Sequence, residues 1–345
     1  MKFVSKGKFF SRGMAFAAAL GLAAFAGPAL AQGTNAELVK AKPAGFPTQP
    51  IEMTVVYPAG GGADLTARLL AKTMEQLSGS RILVNNRTGG AGMVGHAWLA
   101  TQAPTDGTAI GMLVNLVWGD SMLRSQGRWS HTDLEPVGYL NSDPMVWFVT
   151  TDGPFKDKTA QQVIQAAKEK PGTIRVATVP GSMWDYNIEQ VEAQTGAKFL
   201  RVPFQSGGAG VVGLIGNNVD VALGFYAEAK PHLDAAKVRG VGVAAGERLA
   251  HLKDVPTLNE ALNGKDYLWT LVRFVVVPKA TPADRKAYLG AMVKAAMQDQ
   301  GLRGEYAKLG VYFDPTLEKA PNITEALNKE AEREREFYVK TGRLK

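Results

Sequence analysis

The residues best suited to chemistry form one glycine-rich loop, Tyr57-Pro-Ala-Gly-Gly-Gly-Ala-Asp64. Three successive glycines free the backbone to turn its N–H groups inward. A helix that starts there adds its unpaired first-turn donors and the positive end of its dipole. Such a loop cradles an anion without any charged side chain. The same geometry also serves as a tight strand-to-helix turn that binds nothing. Asp64 sits at the helix start, where a carboxylate caps the first turn or complements the dipole. As a direct ligand it would repel an anion. Arg68, one turn on, is placed to pair with it or with solvent.

Two other patterns suggest chemistry and fail on context. Gly90-Ala-Gly-Met-Val-Gly95 fits G-x-G-x-x-G, but a dinucleotide site needs that motif at the first βα turn, with an acid at the end of the next strand about 20 residues on. Here the next acid, Asp106, lies in a Pro-Thr-Asp-Gly turn before the next strand. The glycines are then expected to close a loop tightly. Gly119-Asp-Ser-Met122 resembles the nucleophile block of GDS-type esterases. None of the four histidines, at 96, 131, 232 and 251, has the Asp three residues before it that would supply a base, and no G-x-S-x-G elbow is present. The histidines are far apart and there is no cysteine, so no zinc pattern appears. The chain reads as non-catalytic, with no cofactor and no metal.

The elements that must position the loop follow from periodicity. Ile51–Tyr57 is β-rich and stops at Pro58. Leu65, Leu69, Leu70, Met74 and Leu77 then recur at helical spacing. Short strands at Arg81–Asn85 and Ala109–Val114 flank a helix through Ala97 to Ala103. This alternation indicates an α/β sheet with parallel strands. Residues 116–135 read as irregular. A second block alternates strands at Met145–Val149, Ile174–Thr178, Phe199–Pro203, Val219–Phe225 and Gly240–Ala244. Its helices lie at Ala160–Lys170, through Glu189 to Thr195, and after Gln205-Ser-Gly-Gly-Ala209. Leu268–Val277 is a long strand before Pro278, and residues 282–300 and 321–341 are helical.

The first residues read as an export signal. Lys2, Lys6, Lys8 and Arg12 precede an apolar run from Met14 to Ala26, and Ala29-Leu30-Ala31 fits a cleavage site before Gln32. The run is too short for an ordinary membrane span. Four cations leave with the signal, so the net charge of +7 falls to +3 and argues little for nucleic acid or membrane. With no cysteine, no disulfide can form, and stability must come from the core. The expectation is a soluble periplasmic protein cleaved after Ala31. Residues 32–50 form a lead-in of little order, and two α/β domains follow.

Several further stretches stand in a shared order: Val56–Arg68, then Val84-Asn-Asn-Arg-Thr-Gly-Gly-Ala-Gly-Met-Val-Gly95, then Ala103–Thr108. Arg201-Val-Pro-Phe204, Asp254-Val-Pro-Thr-Leu-Asn-Glu260 and Pro278-Lys-Ala-Thr-Pro282 come later. Spread over nearly the whole mature chain, they resemble the TctC/Bug family of periplasmic solute-binding proteins, which serve tripartite tricarboxylate transporters. The resemblance implies a two-domain periplasmic binding protein of type II-like α/β fold, each domain a mostly parallel sheet flanked by helices, with a ligand cleft between them. Domain 1 is expected at 51–141 and 274–345, and domain 2 at 142–273. The crossings should fall near Asn141–Pro144 and Trp269–Arg273. The implied role is capture of a small carboxylate and its delivery to membrane permease subunits. We expect a monomer and no nucleic-acid partner. The other readings are a secreted α/β hydrolase and a binding protein used for sensing.

The family holds one carboxylate on the loop matching Tyr57, Pro58, Ala59, Gly60, Gly61, Gly62, Ala63 and Asp64, partly through water. The far end of the ligand meets the loop matching Gly181–Asp185 and the helix start at Ser206 and Gly207. Asn115, Phe204 and Phe225 are further candidates for the wall. Where the family carries a small polar Gly-Thr-Ser-Gly-His run, this chain has Gly181, Ser182, Met183, Trp184 and Asp185. Its Phe204-Gln-Ser-Gly207 replaces Tyr-Lys-Gly. Met183 and Trp184 are expected to narrow the cleft. Asp185 is expected to pair with a cationic group or to repel a second carboxylate. The expected ligand then has one carboxylate and an apolar or aromatic body, with room for a cationic or hydrogen-bond-donating distal group, and a compact dicarboxylate such as succinate is disfavoured. The alternative is that Trp184 turns into its own core and Asp185 only caps the following helix.

Overall fold

The computed structural model describes residues 35–264 and 269–345. The expected signal peptide, and Leu268 at the start of the expected long strand, lie outside the described residues. Nine strands are described: β1 Ile51–Val55, β2 Ile82–Asn86, β3 Ala109–Val114, β4 Leu134–Thr150, β5 Arg175–Thr178, β6 Leu200–Pro203, β7 Ala222–Phe225, β8 Val238–Val243 and β9 Thr270–Pro278. The helices of the first part are α1 Ala36–Ala41, α2 Gly62–Ser78, α3 Met93–Thr101 and α4 Leu116–Gly119. Those of the middle are α5 Ala160–Glu169, α6 Met183–Thr195, α7 Gly207–Ile215, α8 Tyr226–Asp234 and α9 Leu258–Leu262. The last four are α10 Ala283–Gln298, α11 Gln300–Lys308, α12 Pro315–Glu318 and α13 Ile323–Lys340.

The main sheet runs β2-β1-β3-β9-β4-β7, and β8 also pairs with β4. The β1–β2 and β1–β3 pairs are parallel. Every pair made by β4 or β9 is antiparallel, and β5–β6 form a separate parallel pair. The fold is thus α/β with mixed sheets. Strand β4 organises it. Its first part pairs with β9 as far as Pro144 opposite Thr270, and from Met145 it pairs with β7 and β8.

The sequence reading found only the second half of β4. Pro136, Gly138 and Pro144 break the strand signal of the first half. The strand passes them with register shifts between Pro136 and Gly138 and between Tyr139 and Asn141. Glycine is needed at 138 because a Cβ there would overlap Val293 of α10. Two other stretches are more ordered than expected. Residues 35–50 include α1, capped by the Asn35 side chain, with Leu38 and Phe46 buried. Residues 116–124 are helical turns, held by Trp118 stacked on Phe274 at 5.7 Å. In both, one or two buried apolar side chains order a segment whose composition is that of a loop.

Two cores flank the point where β4 changes partners. On one side Met53, Ile110 and Val275 pack against Leu70 and Met74 of α2 and Leu289 and Met292 of α10. On the other, Trp147 and Val149 pack against Val163 of α5 and Ile188 and Val191 of α6. The Tyr57 side chain packs against both, and against a third cluster around Leu99 and Leu113. The first glycine loop therefore leaves β1 at the junction of the cores.

Candidate functional site

The loop Pro58–Gly62 is exposed between β1 and α2. Gly60 takes a left-handed φ of +80°, which only glycine adopts without strain. Its N–H donates to Asp64 Oδ2 at 2.9 Å. The Gly61 N–H donates to the Pro58 carbonyl, and the first helical bond runs from the Leu65 N–H to the Gly61 carbonyl. The N–H groups of Gly62, Ala63 and Asp64 are then the donors that helix geometry leaves free at the start of α2. Asp64 does not point at them. Its buried carboxylate accepts from Gly60, from Arg68 Nε at 2.9 Å and from Asn86 Nδ2 at 2.9 Å. Burial alone would raise its pKa. The bonds from Arg68, Gly60 and Asn86 outweigh burial and hold it at about 2.

Next to this helix start stands a residue the sequence reading did not select. A Cβ at Gly62 would lie 3.5 Å from Arg273 Nη2. Arg273 is buried on β9, opposite Val114 of β3 and Asn141 of β4, and forms an ion pair with Asp143. Its Nε has no partner among the described residues, and neither has the buried Tyr57 hydroxyl. Burial pushes the Tyr57 phenol above its ordinary range. Buried polar atoms are seldom left unpaired, so two such groups beside one loop mark it out. A signal was present: Arg273 is the lone charge in Leu271-Val-Arg-Phe-Val-Val-Val277, and a buried cation demands a partner.

The second glycine loop repeats the first arrangement. Gly181 has φ +67°, and its N–H donates to Asp185 Oδ2 at 2.8 Å, four residues on, as Gly60 donates to Asp64. Asp185 Oδ1 accepts from Thr178 Oγ1 at 2.5 Å, and Arg201 lies 3.7 Å away. The Asp185 carboxylate is thus committed to its own loop rather than presented as a free charge. Met183 lies in the core with 2 % exposure, so it cannot narrow a cleft. Trp184 is half-buried: its Nε1 donates to the Leu223 carbonyl at 3.0 Å, and its ring meets Phe225 edge-on at 5.4 Å. Ser182 Oγ donates to the Val179 carbonyl.

Trp184 also covers the start of α7, where a Cβ on Gly207 would lie 2.8 Å from its Nε1. Ser206 caps this helix by accepting from the Ala209 N–H at 3.1 Å, and the Phe204 ring fills the space that Gly213 leaves. Asn115 is taken up by β9, donating to the Thr270 carbonyl at 3.1 Å and accepting from the Val272 N–H at 3.0 Å. The structure thus gathers Tyr57, the Gly60–Ala63 loop and Arg273 in one group. Trp184, Gly207 and Phe225 form another. Asn115 serves as a stitch between strands. A separate cavity of about 1060 Å³ lies between α6, α13 and β9; of the predicted site residues it includes only Asn115.

The esterase-like stretch is a turn staple. Ser121 Oγ lies 3.2 Å from His131 Nδ1 but also receives the His131 N–H at 2.8 Å, while Asp133 is bound to the Ser130 N–H. The Gly90–Gly95 stretch packs closely, since a Cβ on Gly95 would meet Val56 at 2.5 Å. Among the described residues no group of three or more His, Asp or Glu side chains could hold a metal, and no helix is long and apolar enough to cross a membrane.

This architecture is that of periplasmic binding proteins. A TctC solute-binding protein from Polaromonas matches with a TM-score of 0.71 at 28 % identity, over 85 % of this chain and 97 % of that one. MatC from Rhodopseudomonas palustris, with bound malate, shares the fold with a TM-score of 0.69 at 23 % identity, over 85 % and 99 %. The family model described as the tripartite tricarboxylate transporter family receptor, TctC, matches residues 66–342, and the chain belongs to that family. Among curated relatives, a protein from the tcbD-tcbE intergenic region of Pseudomonas sp. strain P51 is 30 % identical over 319 residues, covering 91 % of this chain and 92 % of the relative.

Proposed function

We propose that this receptor is exported to the periplasm after cleavage at Ala31, captures a small organic carboxylate and delivers it to the permease subunits of a tripartite tricarboxylate transporter. One observation carries the reading. The start of α2 offers the N–H groups of Gly62, Ala63 and Asp64, its own aspartate is turned away to Gly60, and Arg273 stands beside Gly62. One carboxylate of the ligand sits there. The ligand lies between two domains, 51–141 with 274–345 and 142–273, and contacts both. MatC, which shares the fold, has malate bound.

Trp184 forms the apolar wall at the far end and favours a ligand with one carboxylate and an aromatic or aliphatic body. Stacking on its indole contributes about 0.5–1.5 kcal/mol beyond burial. Melting-temperature shifts over a panel of carboxylates test the reading, because a ligand that binds only the folded state raises the midpoint. Benzoate-type acids are expected to stabilise the purified protein unchanged, and Trp184→Ala to weaken them by about two- to tenfold in calorimetric titration. Turnover of a stabilising compound by the pure protein would overturn the receptor reading.

A further inference from the structure

The two helix starts that face the proposed ligand differ in one respect. At α2 the first-turn donors are open and the neighbouring charge is Arg273. At α7 the chain's own groups crowd the first turn. Ser206 Oγ accepts from the Ala209 N–H, and a Cβ on Gly208 would lie 3.9 Å from Glu228 Oε1. The same carboxylate accepts from the Phe225 N–H at 3.0 Å, in the capping turn of α8. Glu228 Oε2 comes so close to the α7 backbone that a Cβ on Gly207 would lie 2.7 Å from it. Trp184 lies over the same glycine. Glu228 stands where a second carboxylate of a ligand would dock on the helix dipole.

The neighbouring charges fit this arrangement. Burial is the largest influence on Glu228 and raises its pKa overall; the Phe225 and Gly208 backbone and Arg273 oppose it, and Asp143 adds to it. Arg273, which reaches Gly62 at the other end, forms an ion pair with Asp143, two residues before Met145, whose sheet partner Phe225 donates its N–H to Glu228. The site runs from a guanidinium at α2 to a carboxylate at α7. Asp185, which sequence reasoning expected to supply negative charge here, is consumed by Thr178 and Gly181.

We propose that Glu228 is the specificity-determining residue of this receptor: it occupies the α7 anion position as a built-in carboxylate, excludes dicarboxylates, and accepts a hydrogen bond from an ammonium or other donor at the far end of a monocarboxylate. The proposal rests on the reading of the α2 loop as the carboxylate anchor. A second carboxylate would have to desolvate beside Glu228, a like charge, at a helix start that Glu228 and Trp184 already crowd. A distal donor instead meets a charged acceptor.

Three six-carbon probes that differ only at the far end test this by calorimetric titration: hexanoate, adipate and 6-aminohexanoate. The unchanged protein is expected to bind 6-aminohexanoate best and adipate least. Glu228→Gln keeps an acceptor for the Phe225 N–H and removes the charge. It should improve adipate by about tenfold or more, weaken 6-aminohexanoate by a similar factor, and leave hexanoate within about threefold. Glu228→Ser, which also vacates the α7 start, should improve adipate further. Binding of hexanoate with an adipate to 6-aminohexanoate preference that neither substitution moves by more than about twofold overturns the role of Glu228 while leaving the α2 anchor intact. Failure of all three probes with every protein overturns the anchor, and the proposal with it.

Discussion

At the residue scale, the two aspartates in the first turns of α2 and α6 show how a carboxylate beside a glycine loop can be turned back onto the loop. Each accepts the N–H of a left-handed glycine four residues earlier and so leaves the loop's own field. Asp64 tests the point. Its folded-state pKa of about 2 lies below the unfolded value of 3.8, so its contribution is fully present above that value and is lost as pH falls through about 2. Asp64→Asn is expected to cost about 1–2 kcal/mol at pH 7, discounted because Arg68 is exposed, and to cost little near pH 2. Urea unfolding at a series of pH values measures this; equal losses at both extremes would refute it. The pairing of Asp64 with Arg68 was legible in the sequence, because a helix brings residues four apart together. The commitment of Asp185 was legible only as one of two alternatives, since Thr178 and Arg201 reach it from other elements.

At the element scale, β9 is the piece on which the others depend. It lies between β3 and β4 and carries Arg273 to the first glycine loop. Asn115, at the end of β3, holds it through two backbone bonds. Asn115→Ala leaves a Val272 N–H and a Thr270 carbonyl without these partners and is expected to lower stability by about 1–3 kcal/mol. Carboxylate selectivity should stay unchanged, since the side chain is spent on β9. A shift in ligand preference without a loss of stability would return Asn115 to the ligand wall. Strands and helices with clean periodicity, such as Ile51–Val55 and Gly62–Ser78, were readable because the pattern is local. The first half of β4 was not. Its prolines and glycine are tolerated only because β9 pairs with it and Val293 packs over Gly138.

At the scale of the whole molecule, β4 exchanges β9 for β7 and β8 between Pro144 and Met145, and a strand that serves two cores is where a hinge can act. A ligand that touches both helix starts favours the closed arrangement by its differential affinity alone. Small-angle scattering should therefore show a smaller radius of gyration on saturation with a stabilising carboxylate, and an unchanged radius would count against closure. The sequence by itself determined the class of fold, the order of its loops and the family, because glycine loops, strand runs and helix faces are written in neighbouring residues. It also placed a glycine loop with orphan N–H donors at the head of α2, since the free donors of a helix start are a local property. Only the tertiary structure decided which charges stand at the two loops. Arg273 meets Gly62 from 211 positions later in the chain. Glu228 reaches the start of α7 from the first turn of α8, and no local spacing signals either approach. A helix start attracts any carboxylate that can reach it, and the folded chain sets whether that carboxylate comes from a ligand or from the protein itself.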